Sequence, residues 1–154
     1  MNNDKQRIIG YRNSNITVGN NSNVDVGSFS EVHVGEKSVV VSEASCTVTT
    51  GKYGRVEGDS NNTVVCDALS RVSVGEMSNV YGKNCSVLSA GDRSLVLGGN
   101  GSQVSAGKGS VLMIEYWDEQ NDRLRVAIEY VGEDGIEPNV QYIVQDGKFV
   151  KVTK

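Results

Sequence analysis

The sequence predicts an all-β fold, a β-solenoid (a β-helix or β-roll) wound from an eight-residue repeat with a small antiparallel β cap at its C-terminal end. Three observations carry that expectation. An aliphatic residue stands at every eighth position over about a hundred residues, and each unit alternates with a period of two. The composition also lacks the means for an ordinary core: 154 residues include 18 Gly, one Pro, one Trp and two Phe, with Val and Ser dominating the first two-thirds. Small residues buried in this way require regular stacking.

Written in eights from Tyr11, the chain aligns without a gap through Ile114 as thirteen octads, among them GNNSNVDV from Gly19, GSFSEVHV from Gly27, GEMSNVYG from Gly75 and GDRSLVLG from Gly91. The sixth position is aliphatic in every unit, from Ile16 to Leu112. The fourth is Ser except at Cys46, Gly54 and Asn62, and the first is Gly in eight units. Positions 4, 6 and 8 form the inward set of a short strand, and positions 5 and 7 face out. Gly at position 1 is expected to supply the corner in a left-handed backbone conformation. Glycine density and the period itself exclude a helix. Two octads close a coil of sixteen residues, coils stack at about 4.8 Å, and residues sixteen apart lie above one another. Columns of Ser and Val then run up each face, and a one-residue slip would invert every side chain.

The organisation read from this pattern is an N-terminal cap segment over 1–10, the solenoid over 11–114 and a β-rich capping and interaction subdomain over 115–154. In the last, strands are expected at about 111–117, 124–131, 140–144 and 148–152, with turn signals at Asp134-Gly135 and Asp146-Gly147. Tyr116, Trp117, Tyr130, Tyr142 and Phe149 bring the aromatic mass that the octads lack. An open solenoid end exposes unpaired backbone and raw core, and this segment suits its closure.

One outer face stands out. Octads of odd rank share a face whose outward pairs run from Asn15/Thr17, Glu31/His33 and Thr47/Thr49 to Thr63/Val65, Asn79/Tyr81, Leu95/Leu97 and Val111/Met113. The candidate partner or oligomer interface is therefore Val65, Tyr81, Leu95, Leu97, Val111 and Met113, with Tyr116 and Trp117 beside it. Soluble monomers rarely leave such a patch open. Three covers are conceivable: a second copy in a dimer, the C-terminal segment folded back, or a host partner protein.

Other function classes find no footing. The net charge of −4 and pI near 5.0 argue against nucleic acid. No stretch has the length of a membrane span or a signal peptide, so the chain reads as cytoplasmic. Cys46, Cys66 and Cys85 lack metal-ligand spacing and read as buried thiols. His33 stands two residues from Glu31 without a nucleophile. Ala106–Ser110 lacks the GxxxxGK[ST] order of a phosphate loop. Glu115, Asp118 and Glu119 have no metal-ligand partners. The irregular octads over 43–74, with acids at Glu43, Asp59 and Asp67, leave a cation or partner role open beside tolerated drift. The reading is a non-enzyme without metal or cofactor.

The octads GxxSxVxV and GxxSxVxG resemble the head repeats of trimeric autotransporter adhesins and the sixteen-residue repeats of bacterial ice-nucleation proteins. They are most similar to small phage and prophage proteins in which such octads precede a β-rich tail. The tail here comprises GKGSVLMIEYWDE from Gly107, Val126–Val131 and IEPNVQYIVQDGKFVKV from Ile136. Of the Thr-x-Thr arrays of ice-nucleation repeats only Thr47/Thr49 is present, and ice binding is set aside. The coiled-coil stalk and membrane anchor of the adhesins do not occur in these residues. What the resemblance implies is a phage-type interaction protein that binds and inhibits a host defence protein in the host cytoplasm. The alternative is a virion structural or adhesive rod.

Overall fold

The computed structural model describes residues 4–153 and shows a β-solenoid of seven coils built from two facing parallel sheets. The A sheet contains β1 (Arg7–Gly10), β3 (Asn23–Val26), β5 (Val39–Ser42), β7 (Arg55–Gly58), β9 (Arg71–Val74), β11 (Val87–Ser89) and β13 (Gln103–Ser105). The B sheet contains β2 (Asn15–Val18), β4 (Glu31–Val34), β6 (Thr47–Thr50), β8 (Thr63–Cys66), β10 (Asn79–Gly82), β12 (Leu95–Gly98) and β14 (Val111–Asp118). Every parallel pairing joins residues sixteen apart, as in Val64↔Val80↔Val96. The coil is therefore two octads, and six steps of about 4.8 Å give a rod of roughly 30 Å.

Positions 4, 6 and 8 turn inward. Val32, Val40, Val48, Val56, Val64, Val80, Leu88, Val96, Val104 and Leu112 are wholly buried, and they make one continuous core with the position-8 residues Val26, Cys66, Ala90, Ala106 and Ile114. The buried serines of position 4 are satisfied by the neighbouring coil. Ser22, Ser70, Ser78, Ser86 and Ser94 each donate a backbone N–H to the Oγ sixteen residues ahead, at 2.9–3.4 Å. Hydroxyls such as Ser30, Ser86, Ser102 and Ser110 also donate to a carbonyl nineteen residues behind, at 3.2–3.5 Å. Each Ser thus links two coils through backbone groups that water cannot reach. Where the column departs from Ser, Asn62 takes over: its Oδ1 accepts the Cys46 N–H at 2.7 Å. Each such bond contributes about 1 kcal/mol, and an orphaned partner would cost more.

Three expectations are corrected. The left-handed corner residue is position 3, not the Gly of position 1. Every described octad has φ between 55° and 74° there, in residues as bulky as Phe29, Tyr53, Leu69 and Met77. This conformation costs a non-Gly residue about 1–2 kcal/mol. It is held because the same residue donates its N–H to the next coil's corner carbonyl, as Phe29 does to Ala44 and Tyr53 to Ala68. Position 1 is Gly for lack of room: a Cβ on Gly91 would stand 2.5 Å from the Glu76 nitrogen of the coil below, and one on Gly99 2.7 Å from that of Asn84. Second, residues 7–10 are not a separate cover. They form β1, in register with β3 from Arg7↔Asn23 to Gly10↔Val26, and Gln6 donates its N–H to Ser22 Oγ, so the coil begins ahead of Tyr11. Third, Cys46 and Cys66 are buried but Cys85 is exposed, because it occupies a corner.

The C-terminal segment adds antiparallel strands to both sheets. β14 outruns its octad and returns as β15 (Arg123–Tyr130), paired over its whole length to the edge of the B sheet. β16 (Tyr142–Gln145) joins β13 through Val104↔Tyr142 and turns at Asp146-Gly147, φ 48° and 77°, into β17 (Lys148–Lys151). Val131, Ile136 and Tyr142 are buried against the last coil and close its core.

The irregular octads obey a volume rule across the corner, where position 8 of one octad meets positions 4 and 6 of the next. A Cβ on Gly54 would stand 2.7 Å from Thr50 Cγ2. One on Gly58 would stand 2.6 Å from Asn62 Nδ2, and one on Gly82 2.8 Å from Leu88 Cδ2. In these three pairs the larger residue on one side of the corner is matched by Gly on the other. Gly54→Ser alone is expected to cost about 1–3 kcal/mol by overpacking. Adding Thr50→Ala is expected to recover most of that loss, as measured by urea unfolding; simple additivity of the two costs would contradict the rule.

Candidate functional site

The apolar face lies on the outside of the B sheet at its C-terminal half. Thr63 and Val65, Asn79 and Tyr81, Leu95 and Leu97, and Val111 and Met113 sit side by side on β8, β10, β12 and β14, as the registers Val65↔Tyr81↔Leu97↔Met113 require. Val65 is 43% and Tyr81 37% exposed, and the Leu95, Leu97, Val111 and Met113 side chains are half-buried among their neighbours. The extension of β14 adds Glu115 and the exposed Trp117 to the same face. Tyr116 projects to the opposite side, where its hydroxyl lies so close to the β16–β17 turn that a Cβ on Gly147 would approach it to 2.7 Å. The structure therefore unites Val65, Tyr81, Leu95, Leu97, Val111, Met113 and Trp117, and leaves Tyr116 outside the group.

The antiparallel partner widens the face. Opposed residues share a side of a sheet. Tyr130 beside Val111, Ile128 beside Met113, Val126 beside Glu115 and Leu124 beside Trp117 consequently carry the apolar surface onto a fifth strand. These four are 46–55% exposed. The sequence carried their signal in the alternation of Leu124, Val126, Ile128 and Tyr130 with Arg125, Ala127 and Glu129. What it did not show was which side would turn outward. The C-terminal segment does not fold back over the stripe. It enlarges it.

The face holds one charged group, Glu115, with Thr63 and Asn79 as its polar members. Across the C-terminal ends of β8, β10 and β12 runs an open groove of about 410 Å³ walled by Val65, Tyr81 and Leu97, with Lys83 and Glu115 also lining it.

The remaining candidates have local partners. His33 Nε2 lies 3.0 Å from Glu31 Oε1 on an open surface. Asp118 Oδ1 accepts the Gln120 and Asn121 N–H groups at 3.1 and 3.2 Å, and Arg125 Nε lies 2.5 Å from Oδ2. The Asn121 side-chain amide, that backbone N–H and Arg125 together hold the Asp118 carboxyl below its ordinary range. Glu43 Oε2 accepts Ser28 N–H and Oγ–H at 3.0 and 2.8 Å. Asp67 accepts Ala68 N–H at 2.7 Å, with Lys83 Nζ at 3.5 Å. Two acids of the irregular corners, Glu43 and Asp67, thus bind corner N–H groups. Among the described residues no group of three His, Cys, Asp or Glu side chains is arranged to hold a metal. No family model, curated protein or solved structure matches the chain significantly.

Burial pushes the Cys66 thiol from 9.0 up to about 11, against weaker hydrogen bonds with Ser86 and Ser70, so it stays protonated at neutral pH. The folded protein holds this proton to higher pH than the unfolded chain does. The thiol's contribution to stability is thus complete below pH 9 and is lost as pH rises towards 11, by about 2–3 kcal/mol. Urea titrations are expected to show the stability difference between wild type and Cys66→Ala narrowing over that interval; a constant difference would refute the assignment.

Proposed function

We propose that this chain is a non-enzymatic protein-interaction module that works through the outer face of the B sheet. One observation carries the reading: five adjacent strands present eleven apolar side chains and a single acid on a surface that the other described residues leave uncovered. Isolated exposed apolar residues are ordinary on a protein surface, but a contiguous set is a docking surface. The solenoid suits the task because its backbone is bonded coil to coil, so the face is rigid before any partner arrives and little ordering entropy is lost on binding.

The occupant we assign to this face is a second copy of the chain. A standard interface takes about 800 Å² from each partner, and a continuous apolar surface across five adjacent strands is of the kind that supplies it. A flat face with almost no charge also meets its own copy without repulsion. The resemblance of the octads to phage and prophage proteins supports a bacterial host protein, of the defence type, as the foreign target of the assembled module.

Leu95→Lys with Leu97→Lys places two charges per protomer at the centre of the face. Sedimentation is expected to show a smaller assembly than wild type, with an unfolding midpoint within a few degrees, since neither residue belongs to the core. An unchanged mass would remove the face as a contact between copies.

A further inference from the structure

The structure points to a second junction that the apolar face does not require: we propose that β15 pairs edge to edge with β15 of another copy about a twofold axis, joining two B sheets into one. β15 is the outermost strand of the B sheet and is bonded on one side only, to β14. In an extended strand, the N–H and C=O of one residue point to the same side and those of the next residue to the other. Val131, immediately after β15, donates its N–H to Ser110 at 2.9 Å, and Val111 donates to Ser94 on the far side of β14. The odd residues of β15 thus bond β14, and Leu124, Val126, Ile128 and Tyr130 aim their backbone groups at the open edge. Among the described residues, only the Tyr130 carbonyl of these groups is engaged, by the Glu133 N–H at 3.1 Å.

The edge also selects a register. Antiparallel pairing about a twofold must oppose even residues to even residues. Centring it on Ala127 sets Val126 against Ile128 and Leu124 against Tyr130 of the other copy, and uses the strand from Leu124 to Tyr130. Centring it on Val126 would draw in Asp122, whose φ of 47° lies outside a strand. In the Ala127 register Arg125, whose Nε also lies 2.5 Å from Asp118 Oδ2, stands opposite Glu129 of the other copy, twice by symmetry, at the non-hydrogen-bonded sites where side chains approach most closely. An eight-residue edge without proline or bulge, whose outward side chains Leu124, Val126, Ile128 and Tyr130 are all apolar, is one that soluble proteins normally blunt or pair. Here its chemistry is complementary to itself, which identifies the occupant as a second copy rather than an unrelated strand.

The test is made in the Leu95→Lys/Leu97→Lys protein, so that contact through the face cannot report. Sedimentation across a concentration series is expected to give a dimer, converted to a monomer by adding Val126→Pro. That change removes an edge N–H and leaves the odd-numbered bonds to β14 in place. In the same background, Arg125→Glu and Glu129→Arg are each expected to weaken dimerisation roughly tenfold, and an equimolar mixture of the two to restore it as a heterodimer. A monomer before Val126→Pro, a dimer that persists after it, or charge variants that do not recover on mixing would each overturn the proposal. Failure here leaves the face reading intact, because the two junctions are read by different variants.

Discussion

The structure depends on one constraint: backbone groups at the corners and in the core wall must be satisfied by the coil above or below, because each coil is too short to satisfy them itself. The position-4 hydroxyl does this inside the wall and the left-handed position-3 N–H does it at the corner. Neither bond exists in a single coil. This explains why ten of the thirteen octads keep Ser at position 4, where a buried polar group must find its partner, and why position 3 is permissive, with Phe, Tyr, Leu, Met and Lys all carried in a conformation they would not choose alone. A bond between coils outweighs a local backbone cost as long as the stack is continuous.

Stack continuity also accounts for the disturbed middle of the chain. Thr50 with Gly54, Gly58 with Asn62 and Gly82 with Leu88 are pairs in which the volume added on one side of a corner is removed on the other. The acids at the neighbouring corners accept N–H groups left open nearby, as Glu43 does from Ser28. With the interior of the rod so fully occupied, the chemistry left for recognition lies on its outer surfaces and at its last edge.

On those surfaces, the two ends of the rod differ. Towards the C-terminus the B sheet changes from Asn, Glu and Thr to Val, Tyr, Leu and Met, and the β14–β15 hairpin continues that change instead of hiding it. A hairpin laid over the stripe would have had to leave the sheet and abandon the ladder to β14. By staying in the sheet it keeps eight residue pairs and leaves its apolar side in the open. The proposed function rests on this balance between backbone pairing and side-chain burial, which the backbone wins.

Much of this was legible in the sequence. Strict periodicity determined the coil length, the inward set and the members Val65, Tyr81, Leu95, Leu97, Val111 and Met113 of the face, because a side chain's direction in a strand is a matter of parity alone. Parity could not show which corner residue turns left-handed, since that follows from contacts sixteen residues away: Gly91 is small because of Glu76, not because of its own φ. Nor could it place β1 in the sheet or add Leu124, Val126, Ile128 and Tyr130 to the face, although it does set Tyr116 and Trp117 on opposite sides of β14. Those outcomes required the pairing partner and register of the non-repeating strands. Register within the octads is dictated by identical neighbours; in the tail, only the tertiary structure decides it, because each strand meets a partner of different sequence.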